Sequence, residues 1–268
     1  AEILFACSPE RVNPGDTIHS IKSTPRVISG IGDAAKSAAG DFYSLFVENI
    51  HVAETPEIAE MSKLLENSFR LVNIAFINEL NDYCLKRDIP IRDVISAAST
   101  KPFGFMPFQP SVGIGGHCIP VDPEYLLKSA KSESLSLPIL ESAAASNRHQ
   151  PERIIRFIEE KFGDFRRRNI LVAGITYKAN IADLRESPAI ALMREMRKQG
   201  YNNLKWIDPL VKDFSEFEKG DTEADLFDLA LITVAHDQTD IEKIVENANR
   251  VLDFTGRSNS DGSRVLVY

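Results

Sequence analysis

Ile170-Leu-Val-Ala-Gly-Ile175, followed at once by Thr176-Tyr-Lys178, is the stretch on which the fold turns. It is a continuous apolar run rich in β-branched side chains, closed by polar residues, and it does not alternate. A strand of that kind is buried on both faces. Three more short apolar runs follow at 204–207, 229–234 and 251–254, with helical patterns near 187–199 and 240–247 between them. Strands alternating with helices build a parallel, doubly wound sheet. Ligands of such sheets sit beyond the carboxyl ends of the strands. Those ends are residues 176–178, Asp208-Pro209, Ala235-His236 and residues 255–257, where Lys178 and Arg257 bring positive charge.

Toward the N-terminus the pattern changes to helices. Residues 55–87 carry the longest helical signal, with Thr55 placed to cap, Pro56 suited to the first turn and Glu57 complementing the dipole. Such a helix is about 50 Å long. Its apolar positions cover most of the circumference, which predicts burial on several sides, a spine and an oligomer interface. Lys63 and Asn67 lie one turn apart on one face, and the asparagines at 67, 73 and 78 need partners if buried. A short helix near 92–98 precedes an irregular stretch, 101–116, rich in Pro, Phe and Gly. Loops of that length are usually functional. Helices resume at 123–131 and 138–161, the second broken or restarted at Pro151. The expected class is α/β: a long central helix with a helical dimerisation domain, then a Rossmann-like doubly wound parallel sheet domain. The expected divisions are 1–54, 55–161 and 162–268.

Within the irregular stretch, Gly113-Ile-Gly-Gly-His-Cys-Ile-Pro-Val-Asp122 sets one cysteine between a glycine run and a carboxylate. Glycines free the backbone for left-handed angles and close approach to a ligand, and Pro120 stiffens the exit. Cys118 reads as a nucleophile or, equally on chemistry alone, as a buried structural thiol. His117 beside it reads as structural or substrate-contacting, because sequence neighbours in an extended turn point apart. The other histidines, at 19, 51, 149 and 236, show no metal-ligand spacing with one another or with Cys7 and Cys84.

Composition excludes several classes. A net charge of -8 with dispersed Lys and Arg argues against nucleic acid. No apolar run approaches the roughly 20 residues of a membrane span, and no signal-peptide pattern opens the chain. Three widely spaced cysteines fit reduced thiols. A cytoplasmic protein is expected. Residues 3–7 read as a short buried strand, so the chain begins in mid-strand. Gly30-Ile-Gly32-Asp-Ala-Ala35 opens a helical pattern after an apolar run, but no acidic residue follows about 20 positions later, and a helix N-terminus at a sheet edge is the simpler reading.

Four ordered motifs, SPERVNPGD at 8–16, KLLENSFR at 63–70, GGHCIPVDP at 115–123 and GITYKANIADLRESP at 174–188, resemble those of the UDP-glucose/GDP-mannose dehydrogenase family. The resemblance is greatest to the branch that oxidises UDP-N-acetylhexosamines to uronic acids, and it extends to about residue 257. It implies a UDP-sugar substrate, NAD as cofactor, and a homodimer or higher homo-oligomer joined through the 55–87 helix. It further implies that Cys118 forms a thiohemiacetal and then a thioester, that Lys63 stabilises the developing oxyanion, and that Asn67 donates to that oxygen or to a water. Glu10 and Asp122 would handle water and protons during hydrolysis. By the same resemblance Lys178, with Tyr177 beside it, grips the substrate's phosphates, Arg257 lies near the sugar nucleotide, and Arg185 faces the dinucleotide. The family's dinucleotide domain lacks its first half here, so NAD is expected to bind poorly to this chain. A basic residue contributed across the subunit boundary has Lys101 as its candidate, and the segment 258–268 resembles the family only loosely. Two other readings stand beside this one: a non-catalytic nucleotide-sugar-binding module, and a cysteine hydrolase using Cys118.

Overall fold

A computed structural model describes residues 3–16, 18–258 and 264–268. The chain divides into two units, Ala1–Phe69 and Arg70–Tyr268. In the first, β2 (Arg26–Gly30) lies between β1 (Ala6–Cys7), to which it is antiparallel, and β3 (Ile50–Val52), to which it is parallel. Helix α1 (Asp33–Ser44) crosses between β2 and β3. A Cβ at Gly30 would stand 2.8 Å from Ala35, so this glycine lets strand and helix touch. The expected buried strand over residues 3–7 is corrected. Among the described residues only Ala6–Cys7 of this run is a strand, and Ile3 and Phe5 are 75% and 64% exposed.

Helix α2 (Pro56–Lys86) begins in the first unit and continues into the second. Thr55 Oγ1 accepts from Ile58 N at 3.4 Å, as its capping position implies. Burial on several sides is not what the chain achieves. Leu71, Ala75, Ile77 and Cys84 are buried, whereas Ile58, Met61, Leu65, Phe69, Phe76 and Tyr83 are exposed. One apolar stripe packs within the chain and the rest meets solvent.

In the second unit α3 (Ile91–Ser99), α4 (Asp122–Ser132), α5 (Pro138–Arg148) and α6 (Gln150–Phe162) follow. The predicted 138–161 helix breaks at His149, and Pro151 occupies the first turn of α6, where a missing N–H costs nothing. Then come β4 (Ile170–Ala173), α7 (Pro188–Lys198), β5 (Leu204–Ile207), β6 (Glu218–Lys219), β7 (Leu229–Ile232), α8 (Ile241–Glu246), β8 (Val251–Asp253) and β9 (Val265–Val267). The six strands are parallel in the order β6-β5-β4-β7-β8-β9. Every residue of β4 is fully buried. Ile170 and Val172 enter a core with Ile158, Met193 and Trp206, while Leu171 and Ala173 enter a second core with Phe227 and Ile244. That two-sided burial is why the run at 170 does not alternate. The edge strands β6 and β9 were not anticipated, Glu218-Lys219 because it has no apolar signature. Strand order reverses between β4 and β7, and in sheets of this kind the crevice at such a switch point takes the ligand.

Candidate active site

The glycine run is held from behind by amides. Asn147 of α5 takes Ile114 N on Oδ1 at 2.9 Å and gives Nδ2 to Ile114 O at 3.5 Å. Asn78 of α2 takes Ser111 N at 2.8 Å, and Gln150 of α6 donates to Ser111 O at 3.2 Å. On its other side the run lies flush against residues 177–188. A Cβ on Gly115 would stand 2.6 Å from Glu186 O and from Pro188 Cδ; one on Gly116, at φ 83, would stand 2.9 Å from the Tyr177 ring. These glycines are therefore demanded by contact with the loop that follows β4.

Cys118 comes next. Its carbonyl accepts from Val121 N at 3.2 Å and Asp122 N at 2.8 Å, turning the chain into α4, at whose start Asp122 stands. The buried reading of this cysteine does not hold: Cys118 is exposed, whereas Cys84 is buried. Its sulfur is near enough to bear electrostatically on the Tyr177 phenol and the Arg185 guanidinium. Burial, with Asp183 and the thiol adding to it, pushes the Tyr177 phenol up. Hydrogen bonds from Arg185, at 2.6 to 3.1 Å, hold the Asp183 carboxyl down, and the exposed His117 adds to the effect. Cys118, His117, Tyr177, Asp183 and Arg185 thus form one surface cluster. A cavity of about 510 Å³ also runs along the glycine loop, lined by Gly113, Ile114, Val121, Glu186, Pro188 and Arg194 but not by Cys118.

At the switch point a second cluster is buried. Asp208, after β5, accepts from Ile175 N at 2.9 Å and Thr176 N at 3.3 Å, and its Oδ2 lies 3.0 Å from His236 Nε2. Lys178, half-buried, rides the loop that these bonds secure. Across the sheet Arg257 donates to Ala235 O at 2.9 Å and stands 3.8 Å from Asp237. Beneath it Arg92 of α3 donates to Phe254 O at 2.8 Å and fills the space where a Cβ on Gly256 would be. Lys101 lies over the Phe103 ring at 5.0 Å. Asn147, Asp208, His236 and Arg92 were not singled out as site residues. Only the position of Asp208 and His236 after strands gave a signal.

In the first unit Glu10 accepts from Arg11 N and Val12 N, each at 2.8 Å, and from Arg26 at 2.9 Å. Partial burial would raise its carboxyl, but the bonds from Val12 N and Arg26 outweigh that and hold it below the usual range. Lys63 is half-buried and Asn67 is 8% exposed, both on α2. The turn at Gly30-Ile31-Gly32 does not fit the pyrophosphate of a dinucleotide. Gly30 serves the contact of β2 with α1, and the fully exposed Asp33 carboxylate in the first turn of α1 would repel a phosphate.

Over residues 57–149 the chain matches the central domain of the UDP-glucose/GDP-mannose dehydrogenase family, and over residues 171–259 that family's UDP-binding domain. It is 35% identical, over 212 residues, to the NDP-N-acetyl-D-galactosaminuronic acid dehydrogenase of Ralstonia solanacearum, covering 79% of this chain and 49% of that protein. It is 34% identical, over 212 residues, to the UDP-N-acetyl-D-mannosamine dehydrogenase of Campylobacter jejuni, covering 79% and 51%. A solved UDP-D-ManNAc dehydrogenase from Pyrococcus horikoshii superposes with a TM-score of 0.83 at 26% identity, over 98% of this chain and 64% of that one. The chain spans about half the length of the curated relatives it matches.

Proposed function

The chain belongs to the UDP-glucose/GDP-mannose dehydrogenase family, carrying its central and UDP-binding domains, and from that premise we propose the reaction it serves. It is the central and nucleotide-sugar-binding portion of an enzyme that oxidises the C6 alcohol of a UDP-N-acetylhexosamine to the uronic acid, with NAD as hydride acceptor. The observation that carries this reading is the exposed Cys118 thiol, set by the glycine run against the same loop that bears Tyr177, Lys178 and Arg185.

Sulfur adds to the C6 aldehyde, forming a C–S bond while the carbonyl oxygen takes the proton, which gives a thiohemiacetal. After oxidation to the thioester, water adds to its carbonyl, the C–S bond breaks, and the acid leaves with the thiol restored. Lys63 and Asn67 stabilise the oxygen that becomes negative, and Asp122 and Glu10 manage water and protons. The bonds from Val12 N and Arg26 hold the Glu10 carboxyl below its usual range, so it takes up a proton less readily than a free glutamate does. Lys178 and Arg257 take the diphosphate, His117, Tyr177 and Lys101 contact the substrate, and Arg185 meets the dinucleotide. The turn at Gly30 does not supply the acceptor's site, and this chain by itself is expected to be inactive. A cytoplasmic homodimer or larger homo-oligomer joined along α2 accords with the apolar side chains exposed on that helix.

Titration calorimetry tests the reading. UDP binds this chain and Lys178→Ala weakens it about tenfold or more, the worth of a charge-assisted bond to phosphate, while NAD+ alone gives no heat. Equal UDP affinity in both proteins would remove the nucleotide-sugar role.

A further inference from the structure

Residues 176–180 carry Tyr177 and Lys178 from the end of β4, and one buried side chain from the neighbouring strand end grips this loop at both ends. His236 is 1% exposed. Its Nδ1 receives the backbone N–H of Asn180 at 2.8 Å. A backbone N–H only donates, so Nδ1 is the bare nitrogen and the ring proton sits on Nε2. Nε2 faces Asp208 Oδ2 at 3.0 Å and Thr176 Oγ1 at 3.2 Å. Asp208 Oδ2 also holds Ile175 N and Thr176 N, and Thr176 Oγ1 donates to Lys178 O at 3.1 Å. At the far end Asn180 sits at φ 63, a left-handed conformation that Asn tolerates, and its amide exchanges two hydrogen bonds with Asp237, each 3.0 Å.

We propose that His236, as its Nε2–H tautomer, is the positioning residue of the nucleotide-gripping loop: it fixes the backbone from Thr176 to Asn180 so that the Lys178 ammonium is already in place for the diphosphate of the nucleotide sugar. The proposal rests on the reading of Lys178 as the phosphate grip. A loop ordered before binding spends less of its contact energy on being ordered by the ligand, so the effect falls on phosphate affinity and spares the uridine end.

The test is the ratio of UDP to uridine affinity, measured by calorimetry on the chain and its variants, with nitrogen-15 spectra reporting the Nδ1 state and the Asn180 amide. The unaltered protein shows a non-protonated Nδ1 and an Asn180 amide protected from exchange. His236→Ala lowers the ratio about tenfold with uridine affinity unchanged. His236→Asn, whose Oδ1 stands where Nδ1 stood and accepts from Asn180 N, restores most of it. If His236→Ala does not fold, His236→Gln, which keeps a donor toward Asp208 and loses the acceptor for Asn180, shows the lowered ratio instead. An unchanged ratio in folded His236→Ala or His236→Gln, beside a lowered one in Lys178→Ala, overturns the positioning role alone. An unchanged ratio in Lys178→Ala overturns the phosphate-grip reading and this proposal with it.

Discussion

One methyl group at Gly116 is enough to disturb how the thiol is presented. The residue sits at φ 83 with the Tyr177 ring where a Cβ would go. Gly116→Ala is therefore strained in its backbone and forced against an aromatic side chain. The expected cost is about 1–3 kcal/mol in a urea melt, with faster or slower alkylation of Cys118 as the loop shifts. A melt and alkylation rate identical to the parent's would contradict the contact. Asp208 makes a different kind of prediction. Burial would raise its carboxyl, but donation from His236, Leu210 N and Ile175 N outweighs that and holds it below the usual range. A folded value below the unfolded one stabilises above the unfolded value, about 3.9, and the benefit is lost as pH falls through the folded value. Asp208→Asn should cost about 1–3 kcal/mol at neutral pH, the gap to the parent narrowing as pH drops below about 4. A gap constant with pH would contradict the assignment. The glycines at 115 and 116 were legible in sequence because few residue types tolerate so close an approach. The roles of Asn147 and His236 were not, because they depend on partners 33 and 56 residues away that only the folded chain brings close.

At the scale of elements, periodicity located α2 to within a residue at each end, since a long capped apolar pattern admits few alternatives. It did not say which stripe the chain itself would cover. The stripe left over, with Leu65 66% and Phe76 60% exposed, is what an oligomer interface on α2 would bury. Leu65→Lys combined with Phe76→Lys should convert the expected dimer to a monomer in sedimentation, with the far-ultraviolet dichroism of the helices kept. An unchanged mass would contradict assembly along α2. The short edge strands lay beyond sequence reading. Glu218-Lys219 is a strand only because Lys205 and Trp206 of β5 offer it a parallel partner.

For the whole molecule, apolar runs alternating with helices were sufficient to specify a parallel sheet, and the strand order places its switch point where β4 and β7 end. The two-sided burial of β4 is the physical root of that legibility. What the pattern did not contain is the network at the switch point, because Asp208, His236 and Thr176 are ordinary residues until the strands align their ends. The chemistry proposed for Cys118 requires its sulfur to reach the sugar's C6, and adding the UDP-N-acetylhexosamine 6-aldehyde, labelled with carbon-13 at C6, tests this without any hydride acceptor. The expected spectrum shows a thiohemiacetal resonance in the parent that is absent in Cys118→Ala, although both bind UDP equally. A labelled carbon that gives the same spectrum with both proteins would contradict the claim.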